Sequence, residues 1–338
     1  MIDSMVKAVL QDATIGGILD AINGKYGNKT ALRIKNEDGS LREISFVKLG
    51  RRVVSISSAL INLGVNKGDR VAIISENRPE WVAAYFGIIY AGGAILPVDV
   101  KLSDAEIRFI LNDSQARCVF VSARYLDTVD RLRPSLPGVE NVILFDRSDR
   151  PGVIQLGKLR PHRGSQRQRR IYPEDTAIIV YTSGTTGTAK GVEISYKNLL
   201  FQVLEFSQVI RCTPGERLLS VLPLNHMLEI TGGLIAPLYA GSCVTYCDTL
   251  KTSALLPLFG APTSTSCPMP SGATDGILLL APLVFFCASS VAALMRRLRS
   301  ACIFSVPLFL GRALSISLSA VSFSLGVRAS LNRFSAAK

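Results

Sequence analysis

The chain has 338 residues and 48% apolar content, enough for one large or two ordinary domains around a sizeable core. Its net charge of +12 would suit nucleic acid, yet residues 1–250 hold 30 Lys and Arg against 25 Asp and Glu, a net of only +5. The one basic cluster, "GKLRPHRGSQRQRR" at 157–170, has no interleaved aromatics on which bases could stack, so it reads as a solvated loop and no nucleic-acid partner is expected.

In chain order, "MIDSMVKAVLQDATIGG" carries charges throughout and lacks a long apolar run, so no signal peptide is expected. Phe46, Leu49, Val53, Ile56, Leu60 and Leu63 step by three and four, the signature of an amphipathic helix over 46–63. "RVAIIS" (70–75) is a strand. Pro79 opens a helix at its first position, and Gly92 and Gly93 end it. "AILPV" is the next strand, and Ser103 with Glu106 form a capping box for the helix after it. "ARCVFVS" and "VENVILF" are strands with helical "SARYLDTVDRLR" between them. Strands alternating with helices predict a layered α/β fold with a mainly parallel sheet.

Residues 147–172 are rich in Pro, Gly and Arg and read as a linker. Within it "GVIQLGKL", 152–159, has Walker A spacing, but Leu159 replaces the hydroxyl that would hold magnesium, so the match reads as accidental. Then "DTAIIV" is a buried strand, and "EISYKNLLFQVLEFSQVI" (193–210) reads as a short strand followed by a helix. The seven Cys show no zinc spacing and read as reduced thiols of a cytoplasmic protein.

Between that strand pair lies "YTSGTTGTAKGV", Tyr181 to Val192. Nothing in it can build a core. Gly184, Gly187 and Gly191 allow positive φ and close backbone approach to a ligand. Exposed N–H groups there, with hydroxyls from Thr182, Ser183, Thr185 and Thr186, suit phosphate oxygens, and Lys190 adds a mobile charge. A plain solvated turn is the alternative, but the density of Gly, hydroxyl and Lys is well above that of ordinary loops.

"TSGTTGTAKG" resembles the phosphate-binding signature of the adenylate-forming (AMP-binding) superfamily, which includes acyl-CoA synthetases, luciferases and peptide-synthetase adenylation domains. The resemblance spans about residues 10–250. It takes in Leu63–Ser122, then "ISYKNLL", and "LPLNHMLEITGGLIAPLYAGSCVTY" from Leu222 to Tyr246. It implies the layered N-terminal domain of that fold, with an N-terminal α/β lobe (1–146), the basic linker (147–172) and a phosphate-loop lobe (173–250). It also implies ATP, Mg2+ and coenzyme A as cofactors, and a fatty acid substrate activated to acyl-AMP and then acyl-CoA. By the same resemblance, Thr182, Ser183, Gly184, Thr185, Thr186, Gly187, Lys190 and Gly191 would hold ATP phosphates. His226 and Glu229 would be acyl-pocket residues, Glu229 fitting the long-chain branch better than the short-chain one.

After Leu250 the character changes: residues 251–338 contain one acid, Asp275, against eight basic residues, with fifteen Ser. The family's Tyr-Gly-x-Thr-Glu motif with its magnesium Glu, its Thr-Gly-Asp with the ribose Asp, and its catalytic Lys lobe do not occur there. No catalytic residue is therefore identifiable. The tail reads as a frameshifted or mis-joined segment, and the chain as a truncated, inactive long-chain fatty acid–CoA ligase. "ILLLAPLVFFCASSVAALM" (277–295), followed by "RRLR", is a candidate membrane segment. Two other readings stay open: a nucleotide- or acyl-binding module without turnover, and a membrane-anchored interaction protein.

Overall fold

A computed structural model describes residues 22–35, 40–159, 170–183, 189–209, 212–247 and 277–279. The chain divides into two compact units, Met1–Leu280 and Ala281–Lys338, and every described residue belongs to the first.

A hairpin comes first, β1 (Thr30–Lys35) and β2 (Leu41–Ser45), followed by helix α1 (Phe46–Asn62). Ser45 caps α1 by accepting from the Lys48 amide at 3.4 Å. The apolar stripe expected from periodicity is buried from Phe46 to Leu60, and Leu63 is left half-exposed just past the helix end. Next come β3 (Arg70–Ile74), α2 (Pro79–Tyr90), β4 (Ala94–Pro97), α3 (Asp104–Asp113), β5 (Cys118–Val121), α4 (Leu126–Leu132) and β6 (Asn141–Leu144). Both arms of the Ser103–Glu106 capping box are present at α3. Pro79 stands in the first turn of α2, where its missing N–H costs nothing.

The short β7 (Ile154–Gln155) leads into a single 3-10 turn, Leu156–Lys158. The Walker-like spacing therefore spans an edge strand and a tight turn, not a phosphate loop running from strand to long helix. β8 (Thr176–Ser183) and β9 (Ala189–Ser195) follow, then α5 (Tyr196–Val209), β10 (Arg217–Ser220), a π-helix (Glu229–Ile235) running into α6 (Ala236–Ala240), β11 (Cys243–Tyr246) and β12 (Ile277–Leu279).

Two sheets form. The seven-stranded one has the order β7-β6-β5-β3-β4-β8-β9, parallel throughout except for β9, which runs antiparallel to β8. Five of its strands, β4-β3-β5-β6-β7, follow the doubly wound order in which ligands tend to bind beyond the carboxyl ends of the strands. The five-stranded sheet has the order β12-β10-β11-β1-β2. One strand of it comes from the tail: β12, at the head of the apolar run 277–295, pairs in parallel with β10 through Leu218 and Leu278. The rest of that run lies outside the described residues, and among the described residues no helix is long and apolar enough to cross a membrane.

Helix α2 packs against both sheets, on β3 and β4 of one and β1 of the other, and against α1. All twelve of its residues are buried, Glu80 included. A buried carboxylate is costly unless paired. Glu80 receives Arg42 through both guanidinium nitrogens at 2.7 and 3.1 Å, and Arg78 Nε at 3.0 Å. Arg78 in turn forks onto Asp146 at 2.8 and 3.1 Å. Burial pushes the Glu80 carboxyl upward, but the hydrogen bonds and charges of Arg42 and Arg78 outweigh it and hold the group at about 2.

Removing Arg78 should leave Asp146 and Glu76 without their cation and Glu80 with only Arg42 and Arg52. Arg78→Ala is expected to lower the free energy of unfolding by about 3–5 kcal/mol, measured by urea titration. Because the Glu80 value is depressed from 4.5 to about 2, its stabilisation should be complete above pH 4.5 and disappear as the pH falls toward 2. Glu80→Gln should remove that part of the acid dependence.

Candidate nucleotide and acyl site

The carboxyl edge of the seven-stranded sheet gathers polar groups. Beyond β3, β5 and β6 they satisfy one another: Arg78 spans Glu76, Glu80 and Asp146, and Ser122 Oγ donates to Glu76 at 2.7 Å. Beyond β4 and β8 the chain presents the Asp99–Lys101 turn and the end of the β8–β9 hairpin.

The hairpin differs from a simple loop at 181–192. Tyr181, Thr182 and Ser183 continue β8, and Ala189 to Val192 belong to β9. Cross-strand partners are Tyr181 with Gly191, Thr182 with Lys190 and Ser183 with Ala189. Side chains of directly paired residues share a face, and successive pairs alternate. Thr182 and Lys190 therefore stand together on the face opposite Tyr181. Lys190 is exposed and has no carboxylate partner among the described residues. Gly184, Thr185, Thr186 and Gly187 lie outside the described residues.

On the other face the hairpin is anchored. Tyr181 donates its hydroxyl to Asp113 Oδ2 at 2.5 Å, at the end of α3, and its ring meets Phe109 edge-on at 6.4 Å between centroids. Gly191 lacks a positive φ. It is needed instead for close approach: a Cβ there would stand 3.1 Å from the Tyr181 ring and 3.2 Å from Ile179. Burial, then the Asp113 carboxylate, push the Tyr181 phenol up, so it stays a donor.

The two acyl-side candidates face different places. His226 is half-buried in the segment between β10 and the π-helix. Burial lowers its imidazole, the Asp99 carboxylate opposes this and Lys101 adds to it, so its charged neighbours are those of the turn after β4. Glu229, one turn on, is wholly buried. Its Oε1 accepts from Ser220 of β10 at 2.5 Å, while Oε2 has no partner among the described residues. Gly233 makes room for it, since a Cβ there would fall 2.2 Å from Oε1. Gly232 likewise leaves room for the Phe206 ring, which a Cβ there would meet at 2.2 Å. So Glu229 enters the core beside the five-stranded sheet, and His226 looks toward the seven-stranded one.

Sequence reasoning missed Tyr181, Asp113, Asp99, Lys101 and Asn77. Asn77 bonds the backbone of the His226 segment from the turn after β3. Only Tyr181 carried a local signal, as the last aromatic before the Gly-rich run.

The sequence profile of the family described as "AMP-binding enzyme" matches residues 19–261. The chain belongs to this family. Among curated AMP-binding relatives, the crotonobetaine/carnitine–CoA ligase of Salmonella paratyphi B is 29% identical over 213 residues, 62% of this chain and 41% of the relative. The chain thus spans well under half the length of that relative. A Rhodopseudomonas palustris protein assigned as a long-chain-fatty-acid CoA ligase shares the fold with a TM-score of 0.66 at 24% identity. It covers 73% of this chain and 60% of its own. An anthranilate CoA ligase holding anthranoyl-AMP superposes with a TM-score of 0.64 at 26% identity, over 71% of this chain and 46% of its own. The match to the family runs eleven residues beyond the boundary expected at 250.

Burial raises Glu229 from 4.5 to about 7, with the Ser220 hydrogen bond pulling the other way. Between those values the unfolded chain releases the proton and the native one keeps it. Stability should therefore fall as the pH rises from about 4.5 to 7, by up to about 1.4 kcal/mol per pH unit. Glu229→Gln should flatten that fall and leave the variant more stable than the parent at pH 8. Equal pH slopes for the two proteins in urea unfolding would show that Glu229 is ionised in the native state.

Proposed function

We propose that this chain is the ATP-binding N-terminal part of a carboxylate–CoA ligase acting on long-chain fatty acids. The observation that carries the reading is the hairpin itself. The Gly- and hydroxyl-rich run joins Thr182 to Lys190 in sequence, and the register brings these two onto one face at the carboxyl edge. Such an edge, beside a mobile ammonium and a dense set of hydroxyls, suits polyphosphate. In the full reaction a fatty acid carboxylate attacks the α-phosphorus of ATP, forming acyl-AMP and releasing pyrophosphate. The thiol of coenzyme A then attacks the acyl carbon and AMP leaves. Lys190 and the hairpin donors would stabilise the charge that gathers on phosphoryl oxygens. His226, facing the Asp99–Lys101 turn, would stand on the acyl side as a neutral pocket residue. The long-chain assignment is supported by "PLNHMLE", which carries Glu229 after His226.

The described residues do not supply a metal site: no group of three His, Cys, Asp or Glu side chains assembles among them. The magnesium carboxylate and ribose carboxylate of the resemblance belong to motifs that this sequence lacks. This favours nucleotide binding without turnover by the chain alone.

Lys190→Ala removes one charge-assisted contact of about 1.5–3 kcal/mol. Affinity for ATP, measured by calorimetry, is expected to fall roughly ten- to a hundred-fold. A folded Lys190→Ala protein with parental affinity would take Lys190 out of the site. In a second assay, ATP–pyrophosphate exchange with dodecanoate or palmitate should stay at the Lys190→Ala background. Exchange above it would show that the chain is a complete acid-activating enzyme.

A further inference from the structure

The segment Val221–Leu228 carries His226 across from β10 to the π-helix, and part of its backbone is held from another element. Asn77, in the turn between β3 and α2, donates from Nδ2 to the Leu222 carbonyl at 2.6 Å. Its Oδ1 accepts the Leu224 amide at 2.8 Å. One side-chain amide therefore satisfies a C=O and an N–H two residues apart, as a neighbouring strand would. Nδ2 also donates to Ser220 Oγ at 3.4 Å, while that hydroxyl donates to Glu229. Within the segment, the His226 amide donates to the Pro223 carbonyl at 3.1 Å, and the His226 carbonyl accepts from Glu229 and Ile230 at 3.0 Å each. His226 thus stands between two fixed points: Asn77 on one side, the start of the π-helix on the other.

The first point is long-range. Asn77 and Leu222 are 145 positions apart, and Asn77 belongs to the turn after β3 in the seven-stranded sheet. The turn is rigid in its own right, since the next residue, Arg78, is fixed by Glu76, Glu80 and Asp146. An Asn in a turn is usually explained by local bonds to its own backbone. Here the three described amide contacts go to Ser220 and the segment after it instead.

We infer that Asn77 is a positioning residue that sets where His226 stands relative to the Asp99–Lys101 turn. Its use in catalysis rests on the acyl-side reading of His226, but the placement can be measured without any ligand. Loss of the amide leaves the Leu222 carbonyl and the Leu224 N–H without partners. Both then turn to water, and the segment that carries His226 moves outward with them.

The whole chain has two histidines, His162 and His226, so imidazole resonances can be assigned with a His162→Gln background. In Asn77→Ala and in the near-isosteric Asn77→Leu, the His226 titration midpoint should move up, because the burial that lowers it is relieved. Asp99 and Lys101 are the charged groups facing it, and both are retained. Exchange of the Leu224 amide should accelerate about ten-fold. Ser55→Ala, whose hydroxyl bonds only the Arg51 carbonyl of α1, should change neither. A folded Asn77→Ala protein with an unmoved midpoint and unchanged Leu224 protection overturns the inference. So does loss of the cooperative unfolding transition in both Asn77 variants, which would make the residue a part of the core and no more. A parent protein that fails to bind ATP, yet shows these shifts on substitution, would remove the proposed function and leave the placement standing.

Discussion

Helix α2 has no exposed side, and the arrangement around it follows from that. A helix that touches one sheet through β3 and β4 and the other through β1 must be apolar all round. It also cannot end in water at its N-terminus. Glu80 sits in that first turn, where a negative charge suits the helix dipole. Burial then demands cations, and the chain brings Arg42 from β2 and Arg78 from just before the helix. A chain of ion pairs through Glu80 therefore ties the two sheets together: Arg42 belongs to the five-stranded sheet, while Arg78 reaches Asp146 beyond β6 of the seven-stranded one.

The same network decides which part of the carboxyl edge is available for chemistry. In a doubly wound sheet the point where strand order reverses, here between β3 and β5, is a common ligand position. In this protein it is filled by side chains that neutralise each other. The exposed Lys190 lies on the other side, past β4 on the β8–β9 hairpin. The reversal of β9 against β8 matters for the same reason. A parallel β9 would have needed a crossover and would have carried Lys190 away from the edge. The antiparallel return brings Lys190 back beside Thr182. Tyr181, held by Asp113 and packed on Gly191, fixes the register at the pair next to it. A slip by one residue would turn Lys190 to the opposite face.

What could be read from the sequence was local. The apolar stripe of α1, Pro79 at the head of α2, and the Ser103–Glu106 box each lie within one or two turns, and all three stand in the structure as expected. The Gly- and hydroxyl-rich run was legible because no ordinary core or turn needs that composition. The strand character of Tyr181–Ser183 was not legible, since Thr and Ser beside Gly look like loop until β9 supplies partners. The burial of Glu229 was not legible for a related reason, since the resemblance that singles it out says nothing of its surroundings. Its burial comes from Ser220 and from the space left by Gly233. Asn77 gave no signal at all, because its partners are some 145 residues away. The short β10 and β11 strands are defined by pairing with β1 and with each other more than by their own composition.

The π-helix at Glu229–Ile235 has a consequence for what can stand on its wall. One glycine of the Gly232–Gly233 pair yields space to Phe206 of α5 and the other to the Glu229 carboxyl. Two neighbouring positions of one turn are therefore closed to any side chain, and along that stretch the helix meets its surroundings with bare backbone. A methyl group at either position would have to displace an aromatic ring or a buried acid, so this turn tolerates less change than the apolar helices around it.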